Sequence, residues 1–96
     1  MLIEITTFRL MDGADEAAFL EADARMQGEF VYQQPGIVRR MTARGTRGEW
    51  LVLTFWGSED HAESAATASE DDPAARVFTA FVDPSTLGVR RYTTLD

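Results

Sequence analysis

The chain has 96 residues, a formal net charge of −7, no cysteine and no lysine. This length suits one domain, spanning residues 1–96, with its own core. The negative charge disfavours binding to nucleic acid and to anionic membrane surfaces. The absence of cysteine excludes disulfide bonds, a thiolate nucleophile and cysteine-ligated metals. No apolar run approaches membrane-spanning length and the first residues do not resemble a signal peptide, so we expect a cytoplasmic protein.

The first half of the chain predicts a strand, a helix and a second strand. Residues 2–10 are rich in β-branched and aromatic types and predict the first strand. Residues 14–33 have helical spacing, with Asp12 or Asp15 as the N-cap and Pro35-Gly36 as the end of the helix. The second strand runs from residue 37 to about 44. The predicted buried stripe of the helix consists of Phe19, Ala22, Met26 and Phe30, widened by Leu20, Ala24 and Val31.

The second half predicts a hairpin, a broken helix and a last strand. A loop at residues 45–48 joins the second strand to a third strand at 49–56. Ser58 is the predicted N-cap of a helix that ends near residue 72. Pro73 suits a fresh helix start, capped by Asp72, with Val77, Phe78 and Phe81 on its buried side. The last strand covers residues 88–95.

The resulting β-α-β-β-α-β order predicts an α+β fold, a ferredoxin-like sandwich with a four-stranded antiparallel sheet and helices on one face. The first and third strands are apolar on both faces, which suits central strands. The second and fourth strands carry Arg39-Arg40 and Arg90-Arg91, which suits edges. Two helices cover only one sheet face, so we expect a homodimer formed through the other face.

Two short motifs, Gln34-Pro35-Gly36 and Trp56-Gly57-Ser58-Glu59, accompany this order of elements. With them the chain resembles the dimeric α+β-barrel superfamily, and within it the antibiotic-biosynthesis-monooxygenase type of domain, from residue 2 to residue 94. The resemblance implies a fold more than a chemistry. The superfamily includes cofactor-free oxygenases acting on polycyclic phenols, haem-degrading enzymes, lactone isomerases and members without demonstrated activity.

The chain departs from these relatives at two places. Many relatives carry a histidine well inside the second helix, where residues 62–66 of this chain have none. Haem-degrading relatives need an axial histidine in the later helical segment, where this chain has Arg76, Val77 and Phe78. We therefore do not expect haem degradation, and we expect no cofactor.

Two titratable residues are the candidates for catalysis. His61 is the only histidine and lies in the first turn of the second helix, where the helix dipole favours a neutral imidazole that can act as a base. We favour the alternative, a surface residue among neighbouring carboxylates. Glu4 interrupts an apolar central strand and is either a general acid or base or the partner of Arg91 on the adjacent strand. We favour the pair. A lone histidine with scattered carboxylates predicts no metal site.

Aromatic residues and arginines are the candidates for ligand binding. Trp50, Trp56, Tyr32 and Tyr92 are suited to line a pocket for a flat aromatic molecule, or else to form the core. We favour the core for Trp56 and leave the two tyrosines open. Arg91, with Arg39, Arg40 and Arg90, is suited to hold an anionic substrate. For these arginines we favour the alternative, in which they protect the sheet edges and pair with acidic helices of a second subunit.

Three functions agree with the sequence. The first is a cofactor-independent monooxygenase or isomerase acting on an apolar, aromatic small molecule in a pocket between the sheet and the helices. The second is a non-catalytic dimer that binds such a molecule. The third is a dimer that mediates protein contacts only. The sequence identifies neither the ligand nor the sheet face that lines the pocket.

Overall fold

A computed structural model describes residues 1–95. Its elements follow the predicted β-α-β-β-α-β order, with the second helical segment divided in two and with two short 3₁₀ turns, at Val31–Gln33 and Pro84–Thr86. The strands are β1 (Leu2–Arg9), β2 (Ile37–Arg44), β3 (Glu49–Trp56) and β4 (Gly88–Thr93), and the helices are α1 (Glu16–Glu29), α2 (Glu59–Ser69) and α3 (Pro73–Ala80).

The four strands form one antiparallel sheet in the order β2-β3-β1-β4. This order confirms the prediction that the first and third strands are central and the second and fourth are edges. The pairing of β2 with β3 is regular except near Val38, where the register shifts between Ile37 and Arg39. The fold is thus the expected ferredoxin-like α+β sandwich.

Side-chain capping explains where the helices begin. Asp15 accepts a hydrogen bond of 3.1 Å from the backbone N–H of Ala17, so Asp15 caps α1 and Asp12 does not. The predicted caps of the other two helices are confirmed. Ser58 accepts from the N–H at position 61, and Asp72 accepts from the N–H at position 75, directly before the proline that opens α3.

The core lies between the helices and one face of the sheet. Alternate residues of the central strands face the helices, and the buried ones among them meet aromatic side chains of α1 and α3. Phe19 packs with its ring centroid 4.9 Å from that of Trp50 and 5.5 Å from that of Phe78. These contacts fix α1 and α3 over the β3 and β1 strands, and they place Trp50 in the core.

Three predicted core positions are wrong. Leu20 and Ala24 of α1 and Val77 of α3 are exposed, because each helix packs on the sheet along a narrower stripe than the sequence pattern indicates. The first helix also ends at Glu29, four residues before the predicted end, since the chain tightens into a 3₁₀ turn there. The last strand ends at Thr93 instead of residue 95.

Candidate functional site

A cavity of about 270 Å³ lies between the sheet and the helices. Its floor is the helix-facing side of all four strands, and its walls are side chains of α1, α2 and α3. The lining is predominantly apolar, as is usual for small-molecule sites. Residues that contribute to it include Val52, Trp56 and Val89 from the sheet, and Met26, Phe30, Ala62, Ala65, Ala66 and Phe78 from the helical side.

A row of polar residues crosses the cavity floor from one edge of the sheet to the other. The strand registers place Arg91, Glu4, Thr54 and Arg40 opposite one another on β4, β1, β3 and β2. All four line the cavity. Because neighbouring strands lie about 4.8 Å apart, this polar row has a cation at each end and one carboxylate between them.

At the β2 end of the row, Arg40 is buried and held by residues of α1 and β2. Its Nη2 donates to Asp23 at 2.8 Å, and its Nη1 donates to Gln27 at 3.1 Å and to Thr42 at 3.3 Å. The predicted role of Arg40 as an exposed edge charge that pairs with a second subunit is therefore wrong. A bulge at position 38 shifts the strand so that this side chain turns inward to a carboxylate of its own chain.

At the β4 end, Arg91 lies between two carboxylates. Its Nε donates to Oε2 of Glu4 at 2.9 Å, and its Nη1 donates to Oε1 of Glu63 on α2. The predicted Glu4–Arg91 pair is thus confirmed, and the edge pairing of Arg91 is within the chain. The hydrogen bond to Glu63 raises the pKa of Arg91 and the contact with Glu4 adds to it, while burial opposes both. The guanidinium is therefore a fixed positive charge on the cavity floor.

Trp56 serves both as core and as cavity wall. Its side chain is buried against Leu2 and the small residues of α2, as we expected for a core tryptophan. The same indole lines the cavity. Its Nε1–H is buried and has no acceptor among residues 1–95. An unpaired buried donor is uncommon in proteins.

His61 lies beside the cavity instead of in it. Its imidazole Nδ1 is 2.9 Å from Ser58 Oγ, and its ring packs on the backbone of Gly36. The residue is half-buried, so it is less exposed than the expected surface position. The side chain is not part of the cavity lining. The arrangement suits a structural contact between α2 and the loop before β2.

The two tyrosines also lie outside the lining. The Tyr32 hydroxyl accepts from the backbone N–H of Arg40 at 2.9 Å and donates to its carbonyl at 3.3 Å, so it covers backbone groups of the β2 edge. Tyr92 is exposed on the opposite face of the sheet, as its pairing with Ile3 requires. Trp56, Arg91 and Arg40 are therefore the predicted ligand-binding residues that line the cavity.

No part of residues 1–95 covers the sheet face opposite the helices. Ile3, Ile5, Leu51, Leu53 and Phe55 lie on it because they alternate with the buried residues of the central strands. Leu51 and Met41 are exposed. Arg39 and Arg90 lie at the two edges of this face, so its middle is apolar and its borders are basic.

Among the residues that the structure describes, no three histidine or carboxylate side chains lie close enough together to hold a metal ion. In residues 1–95 no helix is both long enough and apolar enough to cross a membrane.

Comparison with known proteins finds similarity in structure only. No protein-family model matches the chain. No curated protein matches it either. Among solved structures, SnoaB, a cofactor-independent oxygenase from Streptomyces nogalater, is 21% identical with a TM-score of 0.80, covering 99% of this chain and 93% of SnoaB. A protein from Nitrosomonas europaea, named as a candidate antibiotic biosynthesis monooxygenase, is 16% identical with a TM-score of 0.72 over 100% of both chains.

A protein of Bordetella bronchiseptica with the same candidate name is 13% identical with a TM-score of 0.80, covering 98% of this chain and 96% of that chain. At these identities the likeness shows a shared fold. The resemblance to the antibiotic-biosynthesis-monooxygenase type of domain, which the order of elements and the two short motifs indicated, is confirmed at that level over nearly the whole chain.

Proposed function

We propose that this chain binds an apolar, aromatic small molecule in the cavity between the sheet and the helices, and oxidises it as a cofactor-independent monooxygenase. The observation that carries the proposal is the cavity itself, whose walls are apolar and whose floor holds a row of fixed polar groups. Apolar walls with a few oriented polar groups are the usual composition of a small-molecule site. The likeness in fold to a cofactor-independent oxygenase supports the reaction class.

The cavity volume limits the size of the ligand. An engineered protein cavity of about 150 Å³ accommodates benzene. The cavity here is about 270 Å³, which suits one aromatic ring with substituents or two fused rings.

Oxygenation without a metal or a flavin takes its electrons from the substrate, and a phenolate is an electron-rich species of this kind. The balanced reaction converts a phenol and O₂ to a quinone and water, so that one oxygen atom enters the ring and the other leaves as water. Glu4 is the carboxylate on the cavity floor, and Arg91 engages its Oε2. We assign its Oε1 as the acceptor of the phenolic proton. The apolar walls exclude water from the reacting carbon.

The proposal includes a homodimer formed through the uncovered sheet face. A contiguous apolar patch of this kind is rarely left exposed on a protein. A second copy of the same face covers it with matching shape, since both sheets have the same twist. The cavity lies on the other side of the sheet, so dimerisation does not block it.

A specific observation supports a second candidate, a dimer that binds the same ligand without turning it over. The histidine that many members of the resembling family carry within the second helix is absent, and the single histidine of this chain does not line the cavity. The same fold would then serve binding alone, with or without a protein partner.

The binding proposal is tested with 1-naphthol, a two-ring phenol. We expect a Kd of about 0.1 mM, from roughly 0.5 kcal/mol for each of its ~11 non-hydrogen atoms. Ala66→Trp fills the cavity from α2 and should abolish binding, as measured by calorimetry. Ala68→Trp is the matched control, because Ala68 is exposed on the same helix and does not line the cavity. Failure of 1-naphthol and other one- and two-ring aromatics to bind would contradict the proposal.

Turnover is tested separately with an oxygen electrode and chromatographic detection of naphthoquinone, using dialysed protein without flavin and with a metal chelator. We expect one O₂ to be consumed for each quinone formed, and we expect Glu4→Gln to abolish this consumption while 1-naphthol still binds. Binding without oxygen consumption would favour the non-catalytic candidate.

A further inference from the structure

We infer that the ligand carries an acidic oxygen group that binds Arg91 as an anion, and that the carboxylate of Glu63 is the exchangeable partner that this anion replaces. The inference rests on the proposed function, because it concerns the same cavity. It narrows the ligand class to one- or two-ring aromatic acids, such as phenolates and aromatic carboxylates.

The two carboxylates on Arg91 differ in their exposure to solvent. The Glu4 side chain is 19% exposed and belongs to the cavity floor, whereas the Glu63 side chain is 60% exposed on the surface of α2. Solvent-exposed ion pairs contribute little to stability, because water screens them and two side chains must be ordered. The Glu63 contact is therefore the one that an entering anion displaces at low cost.

The contact between Arg91 and Glu63 lies at the mouth of the cavity. The exposed members of the lining include Ala66 on α2 and Val89 on β4, so the cavity opens between this helix and this edge strand. The Arg91–Glu63 pair joins the same two elements. A ligand that enters here meets the guanidinium first, and exchange of Glu63 for the ligand widens the opening.

The guanidinium of Arg91 can donate more hydrogen bonds than its two carboxylate partners accept. Its contacts with Glu4 and Glu63 use two of the five N–H donors that an arginine carries. When Glu63 leaves, the Nη1–Nη2 edge of the guanidinium can hold a carboxylate in bidentate geometry, or a phenolate through its single oxygen. Glu4 keeps Nε in place, so the cation does not have to reorient.

Exchange of Glu63 for a ligand anion preserves the charge balance around Arg91. Arg91 with Glu4 and Glu63 carries a net charge of −1, and replacement of Glu63 by a ligand anion leaves the charge around the guanidinium unchanged. A cationic ligand would instead compete with Arg91 for Glu4 and leave the arginine without its inner partner. A neutral ligand would not disturb the Glu63 contact at all.

The test compares 2-naphthoate with 2-naphthamide, which have nearly the same shape and differ in charge. By calorimetry at neutral pH we expect wild-type protein to bind 2-naphthoate about tenfold more tightly. Glu63→Gln should raise the affinity for 2-naphthoate a further three- to tenfold and leave the affinity for 2-naphthamide unchanged. Glu59→Gln is the matched control, since Glu59 is exposed on the same helix and its removal changes the net charge equally.

Arg91→Gln should remove the preference for 2-naphthoate. The double variant Arg91→Gln, Glu4→Gln gives the same comparison without leaving Glu4 unpaired, in case the single variant folds poorly. Equal affinities for the two naphthalenes in wild-type protein, or equal effects of Glu63→Gln and Glu59→Gln, would overturn the inference and leave the proposed function intact. Binding of neither naphthalene, together with failure of 1-naphthol, would contradict the proposed function itself.

Discussion

Glu4 and Arg91 face each other across β1 and β4 on the floor of the cavity, at a hydrogen-bonding distance of 2.9 Å. Both side chains are partly screened from water, with 19% exposure for Glu4 and 27% for Arg91. Such a pair lies between a surface ion pair, which contributes little, and a buried pair, whose rupture leaves an uncompensated charge. Glu4 therefore holds the cation of Arg91 in place on the cavity floor.

We expect Glu4→Gln to lower the free energy of unfolding by about 2 kcal/mol, because Arg91 loses its inner partner. Arg91→Leu should cost a similar amount, and the double variant should cost about 1 kcal/mol less than the sum of the two. Thermal unfolding measures all three. Glu21→Gln, at an exposed position of α1, is the control and should change little. Additive losses would show that the two side chains do not interact in solution.

At the scale of elements, the loop before β2 and the start of α2 are joined at Gly36. This glycine has a φ of +81°, and a Cβ placed on it would lie 2.1 Å from Cγ of His61. Its carbonyl also accepts a hydrogen bond of 2.7 Å from the N–H of Gly57. The proline-glycine pair therefore does more than end the preceding helical segment, because the missing side chain of Gly36 leaves room for the imidazole of His61.

We expect Gly36→Ala to lower the free energy of unfolding by about 3 kcal/mol or more. The causes are backbone strain at positive φ and the clash of the new Cβ with His61. In a His61→Ala background the same change should cost about 1 kcal/mol less, because the contacts with the ring are gone while the strain and the 2.7 Å approach to Cβ of residue 61 remain. Chemical denaturation measures both costs. Gly28→Ala is the control: it lies within α1 with open space around it and should stabilise the protein. The prediction fails if Gly36→Ala costs the same in both backgrounds. His61→Ala should also leave 1-naphthol binding unchanged.

At the scale of the whole molecule, the two sheet faces differ in what covers them. The helices bury one face and create the cavity, while the other face keeps an apolar centre that no part of residues 1–95 covers. A dimer formed there places the two sheets back to back and leaves the two cavities on the outside. Catalysis or binding in one subunit then needs no residue of the other.

We expect sedimentation equilibrium at micromolar concentration to give about twice the chain mass of 10.7 kDa. Leu51→Glu should give a monomer, because two-fold symmetry places the new charge twice in the apolar interface. Leu20→Glu, an equally exposed leucine on α1, should remain dimeric. A wild-type monomer that does not bind a hydrophobic dye would contradict the dimer.

The sequence alone determined the features that depend on neighbouring residues. Alternation of apolar residues identified the strands, and side-chain caps such as Ser58 and Asp72 marked where helices begin, because both signals act within a few residues. The doubly apolar central strands predicted the sheet order. The pairing of Glu4 with Arg91 followed from that order, since adjacent strands bring their middles together.

Only the tertiary structure decided which polar residues meet across the sheet. Arg40 is buried because the bulge at position 38 of its own strand turns it toward Asp23, 17 residues earlier, and no local sequence pattern predicts that contact. Glu63 contacts Arg91 only because of the position at which α2 packs over the sheet. The cavity likewise depends on how far α1, α2 and α3 stand from the strands. That distance is set by the packing of side chains such as Phe19, Phe78 and Trp56 against one another, which is a property of the assembled layers and not of any one segment.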